Sequence, residues 1–325
     1  HRDLHSFPTR RSSDLLAAFI SYRLNDGHGK EYILNEKGTL PKWSGHAISK
    51  FWYEHPEYRI GKDLKNWQQR VQNWAIPEVR SHKFSFIKEI IENYDIDGFE
   101  LDFLRLGSFF DVHNTTSQQR KDIMAGFVRD VRKTLDENSK PGKHKWLCAR
   151  VSTHIDTYDS MGVDLKMFVE AGLDMVNLSG YYLTEQQTDL DKVVQIIPDT
   201  PVYLELTHTI MTGKTLVKGG YDNYAFRSTT PYQFYTAAHI AYAQGAAGVS
   251  AFNFVYYREY GAPGSGPMTE PPFYIFNHIG DKEWVAKQSQ HYFLCKIWND
   301  PKSWNDPSPR IRQMPKNFEK GTSHT

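Results

Sequence analysis

The sequence of 325 residues has little of what marks several protein classes. It contains only two cysteines, Cys148 and Cys295, so neither a disulfide framework nor a thiolate metal cluster is expected. The formal net charge of +1 gives no electrostatic case for nucleic acid or for an anionic membrane surface. No apolar run approaches the roughly 20 residues of a membrane span. Neither a G-x-G-x-x-G nor a Walker motif is present, which counts against a doubly wound nucleotide-binding sheet.

The first 15 residues are excluded from the fold. The stretch 1–15 has no apolar periodicity and resembles the in-frame translation of a sequencing adapter, so we interpret it as a non-native leader. We therefore expect that the natural N-terminus is lost, and any signal peptide with it.

Apolar strands and amphipathic helices alternate along residues 16–288. Strands are predicted at 16–25, 97–105, 146–153, 175–181, 202–208 and 248–256. Helices are predicted from 77, at 117–137, 165–171, 190–197 and 231–244, and at 273–285. This alternation predicts an α/β fold, a (β/α)8 TIM barrel. Because six strands are counted instead of eight, the barrel is expected to be incomplete and to lack its first two strands. Residues 289–325 depart from the alternation and are interpreted as a tail or the start of a further module.

Five of the predicted strands carry polar side chains at alternate positions. These sets are Ser21/Arg23/Asn25, Glu100/Asp102, Arg150/Ser152, Asn177/Ser179 and Glu205/Thr207. Alternate residues of a strand point to one face, so Glu100 and Asp102 are expected to project together. Two carboxylates on a buried face are costly unless they are paired, hydrated or used in chemistry. Barrel enzymes build their sites where the C-terminal ends of the strands converge, so these strand ends are the candidate active site.

Paired carboxyl groups are what glycosidic cleavage requires. They flank the bond at about 5–5.5 Å for retention of configuration or about 6.5–9.5 Å for inversion. We predict Glu205 as the nucleophile and either Glu100 or Asp102 as the acid, and the choice between these two is open. Residues predicted to position the substrate or contact sugar rings are Arg23, Asn25, Arg150, Asn177, Tyr181, Asn253 and Tyr256.

The residues around the acidic strand resemble a known family. Residues 94–105 (Tyr-Asp-Ile-Asp-Gly-Phe-Glu-Leu-Asp-Phe-Leu-Arg), with Pro-Glu-Val-Arg at 77–80, are similar to the family 10-like glycoside hydrolases. The resemblance implies a (β/α)8 barrel, often exported by polysaccharide-degrading bacteria to the periplasm or the exterior. It also implies an acid on strand four, at Glu100 or Asp102, and a nucleophile on strand seven, at Glu205. The family's usual Asn-Glu pair on strand four is absent. The family 18 chitinase signature is approached, but Leu104 stands at the position of its catalytic glutamate.

The sequence therefore predicts a glycoside hydrolase that acts on a poly- or oligosaccharide without a cofactor or a metal. Two alternatives stay open: a non-catalytic carbohydrate-binding barrel, and a metal-dependent hydrolase with ligands at the acidic strand end. Under a further interpretation Glu100 and Asp102 belong to a structural ion-pair network with Arg23, Arg105 and Arg150. No nucleic-acid partner and no membrane span are expected, and the oligomeric state is not predicted.

Overall fold

The computed structural model describes residues 17–26, 34, 48–104, 107–181, 183–211, 226–254 and 271–293. The strands in these ranges are β1 (Phe19–Arg23), β2 (Gly98–Asp102), β3 (Trp146–Ser152), β4 (Met175–Ser179), β5 (Val202–Thr207), β6 (Thr209–Met211), β7 (Phe226–Ser228) and β8 (Gly248–Phe252). The α-helices are α1 (Lys50–Glu54), α2 (Pro77–Asn93), α3 (Ser117–Glu137), α4 (Tyr158–Met161), α5 (Leu165–Glu170), α6 (Leu190–Ile196), α7 (Pro231–Ala243) and α8 (Lys282–Ala286). Short 3₁₀ helices lie at Pro56–Tyr58, Ile155–Thr157 and Phe273–Asn277.

Six parallel strands form the main sheet in the order β1-β2-β3-β4-β5-β8. Sheet order follows chain order, as it does when helical crossovers wind in one direction around a barrel. Within the described residues β1 and β8 do not pair with each other, so the sheet is an incomplete barrel. The predicted α/β class and the incomplete barrel are confirmed. A separate antiparallel ribbon, β6–β7, follows β5 and was not predicted.

The core lies between the outer face of the sheet and the helices. On β2, Phe99 and Leu101 are fully buried, and they alternate with the polar residues of the inner face. Helices α2 and α3 cover this region with buried aliphatic side chains, among them Ile87 and Val128. Burial of such side chains contributes about 1.5–3 kcal/mol each, so the outer face fixes the register that aims the polar residues inward.

Side-chain caps explain where the helices begin. The Thr116 hydroxyl accepts a hydrogen bond from the Gln119 N–H at 3.2 Å, and the Gln119 side chain accepts one from the Thr116 N–H at 2.9 Å. This capping box starts α3 at the predicted residue. The single helix predicted at 273–285 is wrong. The Asp281 carboxylate accepts hydrogen bonds from two following N–H groups and begins α8 there, so a 3₁₀ helix and an α-helix replace it.

Some predictions fall outside the described residues. These are the leader 1–15, Tyr256, and all of the tail beyond residue 293. The described start of the tail lies against the barrel: the Gln186 side chain donates to the His291 carbonyl at 3.0 Å and accepts from the Phe293 N–H at 2.9 Å. The predicted boundary of the barrel domain at residue 288 stays a prediction. No helix in the described part of the chain has the length and apolarity to cross a membrane.

Candidate active site

The polar residues of the parallel strands form cross-strand rows on the inner face of the sheet. Arg23 on β1 lies opposite Asp102 on β2, and Asp102 lies opposite Arg150 on β3. Two residues earlier on the same strands, Glu100 lies opposite Cys148. The predicted alternation thus brings the acidic and basic side chains together.

Arg150 is the centre of this cluster. Its Nε and Nη2 donate to the two carboxylate oxygens of Glu205 at 2.6 and 2.7 Å, which is a bidentate pair. Its Nη1 donates to both oxygens of Asp102 at 2.9 and 3.0 Å. Arg150, Asp102 and Glu205 are each no more than 3% exposed. One guanidinium therefore joins two of the predicted carboxylates, Asp102 on β2 and Glu205 on β5.

Further groups complete the surroundings of Arg150. The Ser179 hydroxyl accepts from Arg150 Nη2 at 2.9 Å and lies 2.5 Å from Glu205 Oε1, to which it donates. The Phe252 ring lies 4.3 Å from the guanidinium carbon, a distance at which an aromatic ring attracts a cation. The charged cluster is thus enclosed by hydrogen-bonding and aromatic groups from neighbouring strands.

Burial and charge act in opposite directions on this pair. Burial alone would lower the pKa of Arg150, but the hydrogen bonds and charges of Glu205 and Asp102 outweigh it and raise that pKa. Burial is the largest effect on Glu205 and leaves its pKa raised overall, although the hydrogen bonds and charge of Arg150 and the Ser179 hydroxyl act against that rise. The charge of Glu100 adds to the rise. Arg150 is therefore permanently charged, and it opposes most strongly the effect of burial on Glu205.

Glu100 has a different environment. Its side chain is only partly buried, and within the described ranges it forms no ion pair with a lysine or arginine. It accepts hydrogen bonds from the Ser21 hydroxyl at 2.6 Å, from the Asn177 amide at 3.2 Å and from the Cys148 thiol at 3.7 Å. Burial, with the charge and hydrogen bond of Glu100, raises the pKa of the Cys148 thiol, which keeps that donor protonated. The sequence suggested Arg23 or Arg150 as ion-pair partners of Glu100. In the structure both arginines form ion pairs with Asp102 instead.

Asn177 connects the two glutamates. Its amide nitrogen lies 3.2 Å from Glu100 Oε2 and 3.5 Å from Glu205 Oε2. These two oxygens are therefore no more than about 7 Å apart, an upper limit that admits the separation of about 5–5.5 Å that retaining glycosidases use. Glu100 and Glu205, which are far apart in the sequence, thus contact the same amide group.

The other predicted substrate-binding residues take several positions. Arg23 is one-third exposed and is shared between Asp26 at 3.2 Å and Asp102 at 3.5 Å. Asn25 is buried, and its amide donates to the carbonyls of Gln72 and Ser108. We therefore assign Asn25 to holding two loops together, since its N–H groups are already taken by backbone.

Tyr181 and Asn253 lie just beyond the ends of β4 and β8. Both adopt the left-handed backbone region, with φ of 63° and 52°. Residues other than glycine seldom occupy this region, and such conformations cluster at functional sites. Their predicted contact with sugar stays a prediction, and Tyr256 lies outside the described residues.

Several residues of the site were not predicted as functional. Ser21, Cys148, Ser250 and Phe252 each contact a predicted site residue on the inner face. All four lie on strands at the same parity as the charged residues, and that parity is the signal by which the sequence points to them.

A second polar cluster lies beyond β3. The Thr153 hydroxyl donates to Glu185 at 2.6 Å, and the His154 ring lies 3.3 Å from Glu185 and 3.8 Å from Asp189. All four side chains are buried. In the part of the chain that the structure describes, no group of three or more His, Cys, Asp or Glu has the geometry of a metal site. The metal-dependent alternative, with ligands at the acidic strand end, therefore has no supporting observation there.

Comparison with known proteins identifies no family at the level of sequence. No family model matches the chain, and no curated protein matches it, so the resemblance to family 10-like hydrolases is not confirmed. Solved structures with a similar backbone include chitinases. Catalytic domain 2 of the Ostrinia furnacalis Group II chitinase is 12% identical with a TM-score of 0.44, covering 70% of this chain and 76% of that one. The Rhizomucor miehei chitinase RmChi1 is 13% identical with a TM-score of 0.44, covering 85% and 96%.

A lyase appears beside the chitinases. A 2,3-dimethylmalate lyase of the PEP mutase/isocitrate lyase superfamily is 16% identical with a TM-score of 0.31, covering 63% of this chain and 65% of that one. At such identities and TM-scores these similarities carry no argument about activity. The class of the protein follows from its own topology: a parallel α/β sheet of the incomplete-barrel type with an acidic inner face.

Proposed function

We propose that this protein is a glycoside hydrolase that cleaves a poly- or oligosaccharide by a two-carboxylate mechanism. The observation that supports it is the contact of both Glu100 and Glu205 with the same amide nitrogen of Asn177. Glu100 acts as the general acid and base, and Glu205 acts as the nucleophile or as the base that activates water. Asp102 orients Arg150. Export to the periplasm or the exterior belongs to the same proposal.

The surroundings of each carboxylate support this division of roles. A nucleophile or base has to stay ionised, and the bidentate contact with Arg150 favours that form of Glu205 against the burial that raises its pKa. An acid has to hold a proton and reach the leaving group, which suits the partly exposed Glu100 better than a carboxylate held by a cation. Asp102 is buried and is contacted by both Arg150 and Arg23, so it is the weaker candidate for the acid.

The test is hydrolysis of a glycan panel with isosteric variants. Glu100→Gln is expected to lower kcat/KM on natural glycans by about 10²–10⁴, because a general acid contributes that much. The loss should be small on an aryl glycoside whose leaving group needs no proton. Glu205→Gln is expected to abolish turnover of both kinds of substrate. Equal losses on both kinds of substrate for Glu100→Gln would contradict its role as the acid.

Control variants separate chemistry from folding. Gln118→Ala removes a surface hydrogen bond to Asp122 within helix α3 and should leave turnover unchanged. Thermal unfolding of each variant shows that the loss of activity does not come from loss of the fold. Wild-type protein that hydrolyses no member of the panel would overturn the proposal.

A second candidate is a non-catalytic carbohydrate-binding barrel. The observation that favours it is Arg150, which engages Asp102 and Glu205 together and balances much of their charge. Calorimetry on the same panel separates the two candidates. Binding without any product would favour the binding barrel, whereas product formation that depends on Glu100 would favour the hydrolase.

A further inference from the structure

Asn177 has a more specific environment than a substrate-binding amide requires. Its Nδ2 faces Glu100 Oε2 and Glu205 Oε2, while its Oδ1 accepts a hydrogen bond from the Ser250 hydroxyl at 2.8 Å. Because an amide has its donors at one end and its acceptor at the other, this network fixes which way it points. The reverse orientation would set the amide oxygen against two carboxylates.

The side chain is also placed by the sheet and not by a loop. Asn177 lies in the middle of β4, is 8% exposed, and is in register with Arg150 on β3 and Tyr203 on β5. Ser250 on β8 is in register with Glu205 on β5. Sites built on strands hold their side chains more precisely than sites built on loops, which is what a positioning role needs.

We infer that Asn177, oriented by Ser250, is a positioning residue that couples the protonation of Glu100 and Glu205. The one NH₂ group donates to both carboxylates and lets both approach without a cation between them. When one carboxyl gains a proton, it accepts a weaker hydrogen bond from the shared amide, and the other carboxylate then accepts a stronger one. This inference rests on the proposed function and deepens it, since it concerns the same pair of glutamates.

Other groups around the pair set the background against which the coupling acts. The titratable and charged groups that face the two glutamates are Cys148 and Arg150 on β3. Asp102 on β2 acts on them through Arg150, and Arg23 on β1 acts through Asp102. Ser21 donates to Glu100, and Ser179 contacts Glu205 and Arg150. Because Ser21 contacts Glu100 and Ser179 contacts Glu205, variants at these serines are matched controls for Asn177, which contacts both glutamates.

The experiment follows the glutamate side-chain carboxyl carbons by NMR as pH is varied, in protein labelled at glutamate. Resonances are assigned with the variants Glu100→Gln and Glu205→Gln. Asn177→Ala is expected to raise the titration midpoints of both glutamates, because each carboxylate loses a donor to its ionised form. The rise should be about one pH unit for Glu100, which lies 3.2 Å from the amide nitrogen, and smaller for Glu205, which lies 3.5 Å from it. Ser21→Ala removes a donor from Glu100 only, so it should raise the Glu100 midpoint. The Glu205 midpoint should move less and in the opposite direction, because a protonated Glu100 leaves the shared amide to Glu205.

A milder variant protects the test against misfolding. Ser250→Ala removes a single hydroxyl and is expected to move both midpoints in the same direction as Asn177→Ala by a smaller amount, because the amide loses its fixed orientation. Movement of only one midpoint in Asn177→Ala, or of neither in Ser250→Ala, would overturn the inference.

The NMR titration needs no substrate, so its result does not depend on whether the proposed function is correct. Coupled titration in a protein that cleaves no glycan would overturn the hydrolase and keep the positioning role. Hydrolysis with independent titrations of the two glutamates would support the hydrolase and overturn the positioning role. If hydrolysis is found, the acid limb of the kcat profile should move with the NMR midpoints in Asn177→Ala.

Discussion

Replacing Arg150 by methionine tests whether the inner-face cluster is an ion pair in a dry environment. The substitution keeps much of the side-chain volume and removes the cation that, among the described residues, contacts Glu205. It leaves two carboxylates, each at most 3% exposed, next to an apolar group. Removing one partner of a buried pair costs about 3–5 kcal/mol, because Glu205 then has neither water nor a counterion and Asp102 keeps only the contact with Arg23 at 3.5 Å.

That cost is a large part of the free energy of unfolding of an ordinary domain, which is about 5–15 kcal/mol. For a chain of this size the midpoint of thermal unfolding should fall by roughly 10 °C at pH 7. Circular dichroism during heating measures it. The matched control is Arg120→Met: Arg120 is buried too, but its partner Asp159 has a side chain 56% exposed and regains water when the arginine is removed.

The pH dependence of the variant distinguishes lost charge from lost packing. Burial raises the pKa of Glu205, and without Arg150 the opposing effect of the cation is gone. A carboxyl whose folded pKa lies above its unfolded value of about 4.3 favours the folded state at low pH, and this contribution is lost as pH rises through the folded pKa. The deficit of Arg150→Met should therefore shrink between pH 7 and pH 4. A triple variant that adds Asp102→Asn and Glu205→Gln should recover most of the loss at pH 7. A deficit that is equal at both pH values, or equal to that of Arg120→Met, would refute the reasoning.

Two further predictions concern stability. Burial lowers the pKa of His208 to about 4, against about 6.5 in an unfolded chain, so the unfolded state binds the proton first and about 3 kcal/mol of stability is lost as pH falls through this window. His208→Gln should therefore reduce the dependence of the free energy of unfolding on pH between pH 6.5 and pH 4, and an unchanged dependence would contradict the assignment. Gly172 has φ of 98°, and a Cβ there would lie 2.4 Å from Arg132 Cγ, so Gly172→Ala should lower the free energy of unfolding in urea by about 1–3 kcal/mol. Gly126→Ala, in the middle of α3 with open space around the new methyl group, should instead raise it by about 0.5–1 kcal/mol, and equal effects at both glycines would contradict the strain argument.

The alternation of polar residues along the strands was predictable because it depends only on local geometry. Side chains of a strand alternate between two faces whatever the rest of the chain does, so Glu100 and Asp102 could be placed together without knowing their neighbours. The same argument does not reach Asn25. Strand β1 ends at Arg23, and beyond that residue the alternation no longer applies, so Asn25 turns to the loops that it holds.

The ends of the strands were predicted too far towards the C-terminus. The apolar run after Glu100 suggested a strand to residue 105, but β2 ends at Asp102. There the Asp102 carboxylate accepts a hydrogen bond from the Leu104 N–H at 2.9 Å, which is a local alternative to the ladder of the sheet. Composition alone does not reveal such a competition, because it depends on where the side chain can reach.

The choice of ion-pair partners depends on register, which the sequence does not state. Arg150 contacts Asp102 because β2 and β3 pair with Glu100 opposite Cys148; a shift by one residue would turn the arginine to the other face. Its reach to Glu205 crosses β4, where Asn177 and Ser179 are small enough to let it pass and polar enough to bind the same groups. Several strands have to be in place before these contacts exist.

The balance of charge on the inner face favours chemistry over a structural network. Glu100, Asp102 and Glu205 face Arg23 and Arg150, and Arg23 is shared with Asp26 as well. A buried network that served stability alone would match each charge, because an unmatched ion costs more than the pairing returns. Here the excess negative charge falls on Glu100, the one carboxylate of the three that is partly exposed and is held by neutral donors. A group so placed can take up and release a proton without breaking an ion pair, which is the property that an acid and base of glycosidic cleavage must have.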